Sequence, residues 1–374
     1  MEKPNIVFIV ADDLGWNDVG YRNPQMITPN LDRLAKAGVI LNSSYVQPLC
    51  SPSRNCFMSC YFPYHTGLQD GVIQTDAAKF LPANLTTLPQ KLKQLGYDAH
   101  MVGKWHLGFC NWKYTPTERG FDTYLGHYSG AEDYFTHMLK DPQGEVGLDF
   151  HLNKIAYREA NGTYSAYVFA NRAVEFIEGH NNTKATLWEG GTKGTGFIYS
   201  KTLLKKTGYL NIGMMHAVDW NPTLVELAGG ENTDPNMDGV SQYDMLINGG
   251  PTKRNEFVYN IYDEEEAAAI RYGDLKLIQG SPGDHNGWAP LPHLGIDERV
   301  YQADNQKFPP FMLYNITADP TEHFDLSATY PELVDMMKKR LENWKKSRVP
   351  AQNNASIPAA NPKYYGGVWS PGWC

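Results

Sequence analysis

Pro4-Asn5-Ile6-Val7-Phe8-Ile9-Val10 leads directly into Ala11-Asp12-Asp13-Leu14-Gly15. An unbroken apolar run of this length, bounded by polar residues, reads as a strand buried on both faces, the pattern of a parallel sheet. Downstream, Thr28-Pro29-Asn30 opens a helix with Thr at the cap and Pro in the first position. Leu31, Leu34 and Ala35 follow at helical spacing, and Gly38 closes it. Leu88 to Leu95 reads as a second helix ended by Gly96, and Asp98 to Val102 as another strand. Ala166 to Ile177 is an amphipathic helix with Val168, Phe169, Ala173, Val174 and Ile177 on one side. Gly196 to Ser200 reads as a short strand and Ala217 to Ala228 as a helix. This alternation predicts an α/β fold with a mostly parallel sheet flanked by helices.

After Gly249-Gly250-Pro251 the character changes. Glu256 to Ile261, Ala267 to Tyr272 and Leu275 to Gln279 read as short strands of an antiparallel meander, with a hairpin at Tyr272-Gly273-Asp274. Residues 281–312 are rich in Pro, Gly and His and read as a long loop, and Pro331 to Arg348 as a C-terminal helix. The boundary falls near residue 248: a larger domain over 1–248, then a smaller α+β domain over 249–374.

A length of 374 residues allows two to three domains. Lys+Arg minus Asp+Glu is 33 − 41 = −8, and no basic run interrupts it, which counts against a nucleic-acid binder. Hydrophobic residues at 42% are enough for a real core. No stretch of about 18 apolar residues exists, so no membrane span is expected. The run from Ile6 to Ala11 is too short and wrongly flanked for a signal peptide. Five cysteines leave at least one unpaired, and no zinc spacing is visible among them. Six N-x-[ST] sequons, at Asn42, Asn84, Asn161, Asn181, Asn315 and Asn354, fit passage through the secretory pathway, in which case a leader is missing here; a Thr- and Asn-rich surface is the alternative.

Three segments can carry chemistry. Asp12 and Asp13 follow the first strand, where open α/β sheets bind ligands. Two adjacent carboxylates repel unless a cation lies between them, and oxygen ligands favour Ca²⁺ or Mg²⁺; a turn or helix-cap pair is the alternative. Leu49-Cys50-Ser51-Pro52-Ser53-Arg54 places a thiol where a helix end and an Arg would activate it as a nucleophile, against the alternative of a structural cysteine. Gly103-Lys104-Trp105-His106-Leu107-Gly108 follows a strand, and on an extended segment Lys104 and His106 project to one side. A fixed charge beside a titratable ring suits an anionic substrate; a surface Lys and a packed His are the alternative. Gly190 to Gly196 lacks the phosphate-loop spacing, and Trp369 and Trp373 read as packing anchors.

Taken in order, these segments resemble the sulfatase family of the alkaline-phosphatase-like superfamily. The match includes Cys50-Ser51-Pro52-Ser53-Arg54, Arg119-Gly120-Phe121-Asp122, Leu187-Trp188-Glu189-Gly190-Gly191 and Asp219-Trp220-Asn221-Pro222-Thr223, and with Gly130-Ala131-Glu132-Asp133-Tyr134 it looks closest to arylsulfatase B-like enzymes. It covers most of residues 4–230. The resemblance implies hydrolysis of aryl or sugar sulfates, including glycosaminoglycan-type substrates, in a lysosomal or secreted protein. It implies that Cys50 is converted to formylglycine by the formylglycine-generating enzyme and carries the nucleophile. Asp12, Asp13 and residue 50 would bind Ca²⁺, Arg54 and Lys104 would hold sulfate oxygens, and His106 would assist the elimination. Lys184 stands where the family has a further sulfate-contacting Lys.

The sequence also departs from the family. An Asp-Asn pair that completes the calcium shell and a second His that protonates the leaving group belong between the third helix and Leu187. Only Asn181 to Thr186 lies there, after Gly179-His180, so two or more βα units are absent near Lys184. His180 sits in the wrong context for the missing His, and the one Asp-Asn dipeptide, Asp304-Asn305, falls in the C-terminal loop. Ca²⁺ takes six to eight oxygens, so weakened calcium binding is expected. Loss of central strands should also expose apolar edges. The alternative to an enzyme is a catalytically inactive sulfatase-like protein that binds sulfated glycans or a protein partner.

Overall fold

The computed structural model describes residues 3–176, 192–263, 267–283 and 308–374. The first helix, α1 (Pro29–Ala37), starts at a proline and ends at Gly38, as expected. It leads into strand β1 (Val39–Tyr45), which then turns into helix α2 (Cys50–Ser59). Helix α3 (Leu88–Gln94) opens with a capping box between Thr87 and Gln90. Two short strands follow, β2 (His100–Val102) and β3 (Thr123–Gly126), paired in parallel. Strands β4 (Met138–Lys140) and β5 (Val146–Leu148) form a small ribbon, and β6 (His151–Leu152) and β7 (Ile155–Ala156) extend the β2–β3 sheet. Helix α4 (Ser165–Phe176) comes next. Strand β8 (Lys193–Ile198) runs antiparallel and β9 (Tyr209–His216) parallel to β1, in the order β8-β1-β9. Helices α5 (Ala217–Leu227) and α6 (Tyr243–Asn248) complete this part.

The C-terminal part is a four-stranded antiparallel meander of β10 (Glu256–Ile261), β11 (Ala268–Tyr272), β12 (Leu275–Gln279) and β13 (Phe311–Asn315). The first three match the sequence reading. The stretch 281–312, read as loop, gives way to β13 at Phe311. Helix α7 (Pro331–Lys345) lies over the meander, with Met337 and Leu341 buried. One core runs through both parts: Tyr45, Phe57, Phe62 and Met214 pack with Phe257, Tyr259, Ile270, Leu277 and Leu313.

The opening run corrects the sequence reading. Residues 4–10 are in no strand. Side chains alternate instead: Ile6 and Phe8 pack inward beside Leu88, Leu224 and Val225, while Val7 and Ile9 are 51% and 53% exposed. Phe8 meets the rings of Phe57 at 5.3 Å and Trp220 at 5.5 Å. The physical reason is that only one face has anything to pack on. A run rich in β-branched residues becomes a two-faced strand only when neighbours pair and cover it, and among the described residues nothing pairs with it. Substituting the outer Ile9 by Thr therefore changes stability by no more than about 0.5 kcal/mol, as at ordinary surface sites, and lowers the tendency to aggregate through an unpaired edge. A denaturant melt checks this; a loss above about 2 kcal/mol would mean that Ile9 is sandwiched in solution.

Cys110 and Cys374 form a disulfide, with Cα atoms 5.5 Å apart, that closes a sequence separation of 264. Cys50, Cys56 and Cys60 remain free thiols. Trp369 is fully buried and Trp373 meets Phe109 edge-on at 6.2 Å, so both act as packing anchors.

Candidate functional site

A cleft of about 600 Å³ runs along residues 6–10 to Asp12 and Asp13. Its lining also includes β2 with Gly103 and Lys104, and His127, Gly130 and Glu132. Lys104 extends from the end of β2, and its Nζ lies 2.5 Å from Asp12 Oδ2. Arg54 Nη2 lies 3.6 Å from Asp12 Oδ1, and Arg54 Nη1 donates to the Lys104 carbonyl. Sequence places Arg54 here through helix α2. Leu49 is extended, Pro52 sits in the first turn, and the Ser53 hydroxyl donates back to the Leu49 carbonyl at 2.8 Å. Ser51 Oγ accepts from the Ile73 amide at 3.1 Å, which fixes the start of the helix. Cys50 and Arg54 are one turn apart and share a helix face. Cys50 is a half-buried free thiol at the first helical position.

His106 is 2% exposed and holds φ at 53°. Its Nε2 donates to the Ile73 carbonyl at 3.0 Å, and its buried Nδ1 has no hydrogen-bond partner. Gly130 packs on the ring so closely that a Cβ there would sit 2.4 Å from Cε1, so only glycine fits.

Charge governs the site. Burial opposes ionisation of Asp12, but Arg54 and Lys104 outweigh it and hold the carboxyl below its usual range. Burial, then Lys104, pushes His106 well below the ordinary histidine value. Burial, Lys104 and Arg54 push His127 down to about 3, so both rings are neutral at pH 7. Within the contacting trio one carboxylate and two cations leave a single net positive charge beside which an anion can sit, and the Asp13 carboxylate lines the same cleft.

The structure thus brings Asp12, Arg54 and Lys104 into contact, with His106 near enough that its titration is coupled to Asp12. Asp13 lines the same cleft with φ at 67°. Cys50 stands one helical turn from Arg54 and is not part of the cleft lining. Lys184, His180, the shortened junction around them and Asp304-Asn305 lie outside the described residues. Sequence reasoning missed His127 as a cleft residue and gave Glu132 no role. The signal available for His127 was its place just past β3, at the carboxyl end of a parallel strand.

The donors fit calcium poorly. Among the described residues no group of three or more His, Cys, Asp and Glu side chains converges as a metal site. The Asp12 carboxylate is already neutralised by the protein's own ammonium and guanidinium. The cation that the adjacent carboxylates call for is therefore supplied, for Asp12, by Lys104 and Arg54.

A second constellation lies elsewhere. Asp238 Oδ2 is 2.7 Å from His65 Nδ1, and His65 Nε2 is 2.8 Å from Ser347 Oγ. Ser347 also donates to the Trp344 carbonyl, and the amides of Ser347 and Arg348 are spent on the end of helix α7. With those amides committed there is no local oxyanion donor, and the chain of bonds serves to tie α7 to the core.

Comparison with known proteins identifies the family. The sulfatase family model matches residues 4–188, and the model of the C-terminal region of aryl-sulfatase matches 252–365. Mouse arylsulfatase J is 31% identical over 484 residues, covering 99% of this chain and 80% of that protein. Human arylsulfatase A is 40% identical over 445 residues, covering 90% and 86%. The first alignment is longer than the chain, so at least 484 − 374 = 110 positions have no residue here. Among solved structures, Ps i-CgsB in complex with k-i-k-neocarrahexaose superposes with a TM-score of 0.75 at 20% identity, covering 98% of both chains. The PsFucS1 sulfatase from Pseudoalteromonas sp. gives 0.69 at 20% identity, covering 94% of this chain and 92% of its own. The fold is the alkaline-phosphatase-like α/β fold with a C-terminal antiparallel sheet. The chain belongs to the sulfatase family of sulfuric ester hydrolases.

Proposed function

We propose that sulfate ester hydrolysis takes place where Asp12, Arg54 and Lys104 meet, on aryl or sugar sulfates, with Cys50 converted to formylglycine. The carrying observation is the Asp12–Lys104–Arg54 cluster, a locally positive pocket in a chain of net charge −8. Arg54 and Lys104 bind the sulfate oxygens, and Asp12 orients both cations. His106, with its Nε2 hydrogen committed to the Ile73 carbonyl, presents Nδ1 as a proton acceptor. The residue at position 50 fits conversion because its thiol is unpaired, half-buried and at a helix start; once formed, formylglycine supplies a geminal hydroxyl as nucleophile. No step is routed through calcium, since Asp12 is already paired.

Lys184 is proposed as a further sulfate contact by its place in the motif order. The division at 248 is proposed because the matched family models end at 188 and resume at 252. A lysosomal or secreted location, with the formylglycine-generating enzyme met on the way, is supported by the Cys110–Cys374 disulfide and the six sequons. No helix of the described residues is long and apolar enough to cross a membrane. Sugar sulfates are favoured by the solved relatives: one holds a carrahexaose, and another, 18% identical with a TM-score of 0.62, holds its substrate D-glucosamine-2-N,6-O-disulfate.

The test is sulfate release from an aryl sulfate together with peptide mass spectrometry of residue 50. Formylglycine with turnover is expected. An intact Cys50 thiol without turnover sinks this reading. The 110 or more missing positions favour a second reading, an inactive binder of sulfated glycans or a partner. It predicts saturable, salt-sensitive glycan binding with no turnover.

A further inference from the structure

We propose that the rings of Tyr134, Phe135, Tyr164 and Tyr167 form a stacking platform for an unsulfated sugar ring, so that the cleft takes a sulfated oligosaccharide rather than an isolated aryl sulfate. The platform rests on the sulfatase reading of the same cleft for where the sulfate sits. It adds a site for the neighbouring ring, to which that reading gives no residue.

Four rings meet around Tyr164. Its centroid lies 5.7 Å from that of Tyr134 and 5.6 Å from that of Tyr167, both edge-on, and 5.4 Å from that of Phe135. Tyr134 and Tyr164 line the cleft that also holds Asp12, Arg54 and Lys104, and Phe135 and Tyr167 continue the aromatic surface beyond that lining. Among the described residues Tyr134 and Phe135 are each 53% exposed and Tyr167 is 67% exposed. Contiguous exposed apolar surface of this kind marks a place where something docks.

Main-chain bonds hold the rings in place. Tyr134 and Phe135 sit in a turn closed by the Asp133 amide on the Met138 carbonyl and the His137 amide on the Asp133 carbonyl, both at 2.8 Å. The Asp133 carboxylate accepts from the Phe135 and Thr136 amides at 3.2 and 2.8 Å. The Ser165 amide donates to the Tyr134 carbonyl and the Gly162 amide to the Phe135 carbonyl, again at 2.8 Å. The turn after β3 and the start of α4 are thus fixed to each other before any ligand arrives, which keeps the ordering cost of binding small. Four residues before Tyr134, Gly130 lies against the His106 ring. Four residues span at most about 14 Å, the reach of a short oligosaccharide.

Chemistry selects the occupant. The C–H face of a pyranose carries slightly positive hydrogens, which suit the negative face of an aromatic ring. Tyrosine hydroxyls both donate to and accept from sugar hydroxyls. The Asp133 carboxylate in the turn disfavours a second sulfate there, whereas Arg54 and Lys104 favour one in the cleft. A second copy of the chain is the poorer occupant. At roughly 150–250 Å² for a whole aromatic side chain, four half-exposed rings offer about 400 Å², against about 800 Å² per partner in a stable interface.

The experiment measures, by titration calorimetry, the binding of tetrasaccharides from carrageenan, chondroitin sulfate and heparan sulfate against the monosaccharide sulfate of each series. Nitrophenyl sulfate turnover is followed on the same protein. In at least one series the tetrasaccharide should bind more than about 10-fold more tightly than the monosaccharide, as expected for at least two stacked rings. Tyr134→Ala and Tyr167→Ala should each lower that ratio about 3- to 10-fold, the worth of one stacked ring, and Tyr134→Phe should keep it. If Tyr134→Ala does not fold, Tyr167→Ala carries the test from its exposed position. No chain-length preference in any series, or one that the folded alanine variants retain, overturns the proposal. When nitrophenyl sulfate is still turned over, that result leaves the sulfatase reading standing. A ring-dependent preference without turnover of any sulfate supports the platform and overturns the sulfatase reading alone. A preference that appears only in Asn161→Gln would mean that a glycan on that neighbouring sequon covers the rings. A dimer that Tyr167→Ala splits in sedimentation, with glycan binding unchanged, would mean that a second copy does. Either result overturns the proposal.

Discussion

Replacing Lys104 by alanine lowers kcat for an aryl sulfate by about 10²- to 10³-fold, the cost of losing one charged donor aimed at developing negative charge. The effect has two sources in this structure. Lys104 is the closer of the two cations on Asp12, at 2.5 Å against 3.6 Å for Arg54. Without it the trio loses its net positive charge, and Asp12 and Arg54 only balance each other. Lys104 also contributes to keeping His106 and His127 neutral. Removing it relaxes that push, so both rings titrate at a higher pH than in the parent, and the acid limb of the rate profile moves upward. Lys104→Arg is the informative companion. It keeps the charge but presents a planar fork rather than a point charge, so it should recover part of the loss. An alanine variant with unchanged kcat would remove Lys104 from the proposed site.

How much of this was legible in the sequence depended on whether a residue's role was decided locally. The helices beginning at Pro29 and Leu88 were readable because their caps are local. The meander was readable because Phe257, Ile270 and Leu277 sit in strands separated by tight turns. Strands β1 and β9 were not, because Asn42, Ser43 and Ser44 interrupt one and Asn211 and Gly213 the other, and both form through non-local pairing. The run at residues 4–10 misled for the opposite reason. Its apolarity is real, but composition cannot say whether a neighbour exists to cover the second face. At the site, Asp12, Arg54, Lys104 and His106 stood out by motif. His127 and Glu132 did not, because a lone His and one acid among acids acquire meaning only from what β3 and its loop pack against.

The largest stability effect is expected at Arg254, just past the proposed boundary. Its Nη2 and Nε lie 2.5 and 2.7 Å from the two oxygens of Asp219 on helix α5, and both side chains are buried. The same guanidinium donates to the Asp238 and Glu256 carbonyls at 2.8 and 2.9 Å. Asp219 in turn accepts from the His216 and Val240 amides. The pair thus links the start of α5, the chain near residue 240 and the first meander strand. Breaking a buried pair by removing one partner costs about 3–5 kcal/mol, because the other charge is stranded. Arg254→Leu should therefore lower Tm by about 4–6 °C for a chain of this size if unfolding is two-state. The cause can be separated from lost packing. Asp219→Asn in the Arg254→Leu background removes the stranded charge while keeping an acceptor for one of the two amides, so it should restore part of the loss. A double-mutant cycle then measures the coupling. Recovery in the double variant would show that the two parts of the chain are held in register by this charge pair as well as by their shared apolar core. Additive losses would mean that the pair contributes only through the space it fills.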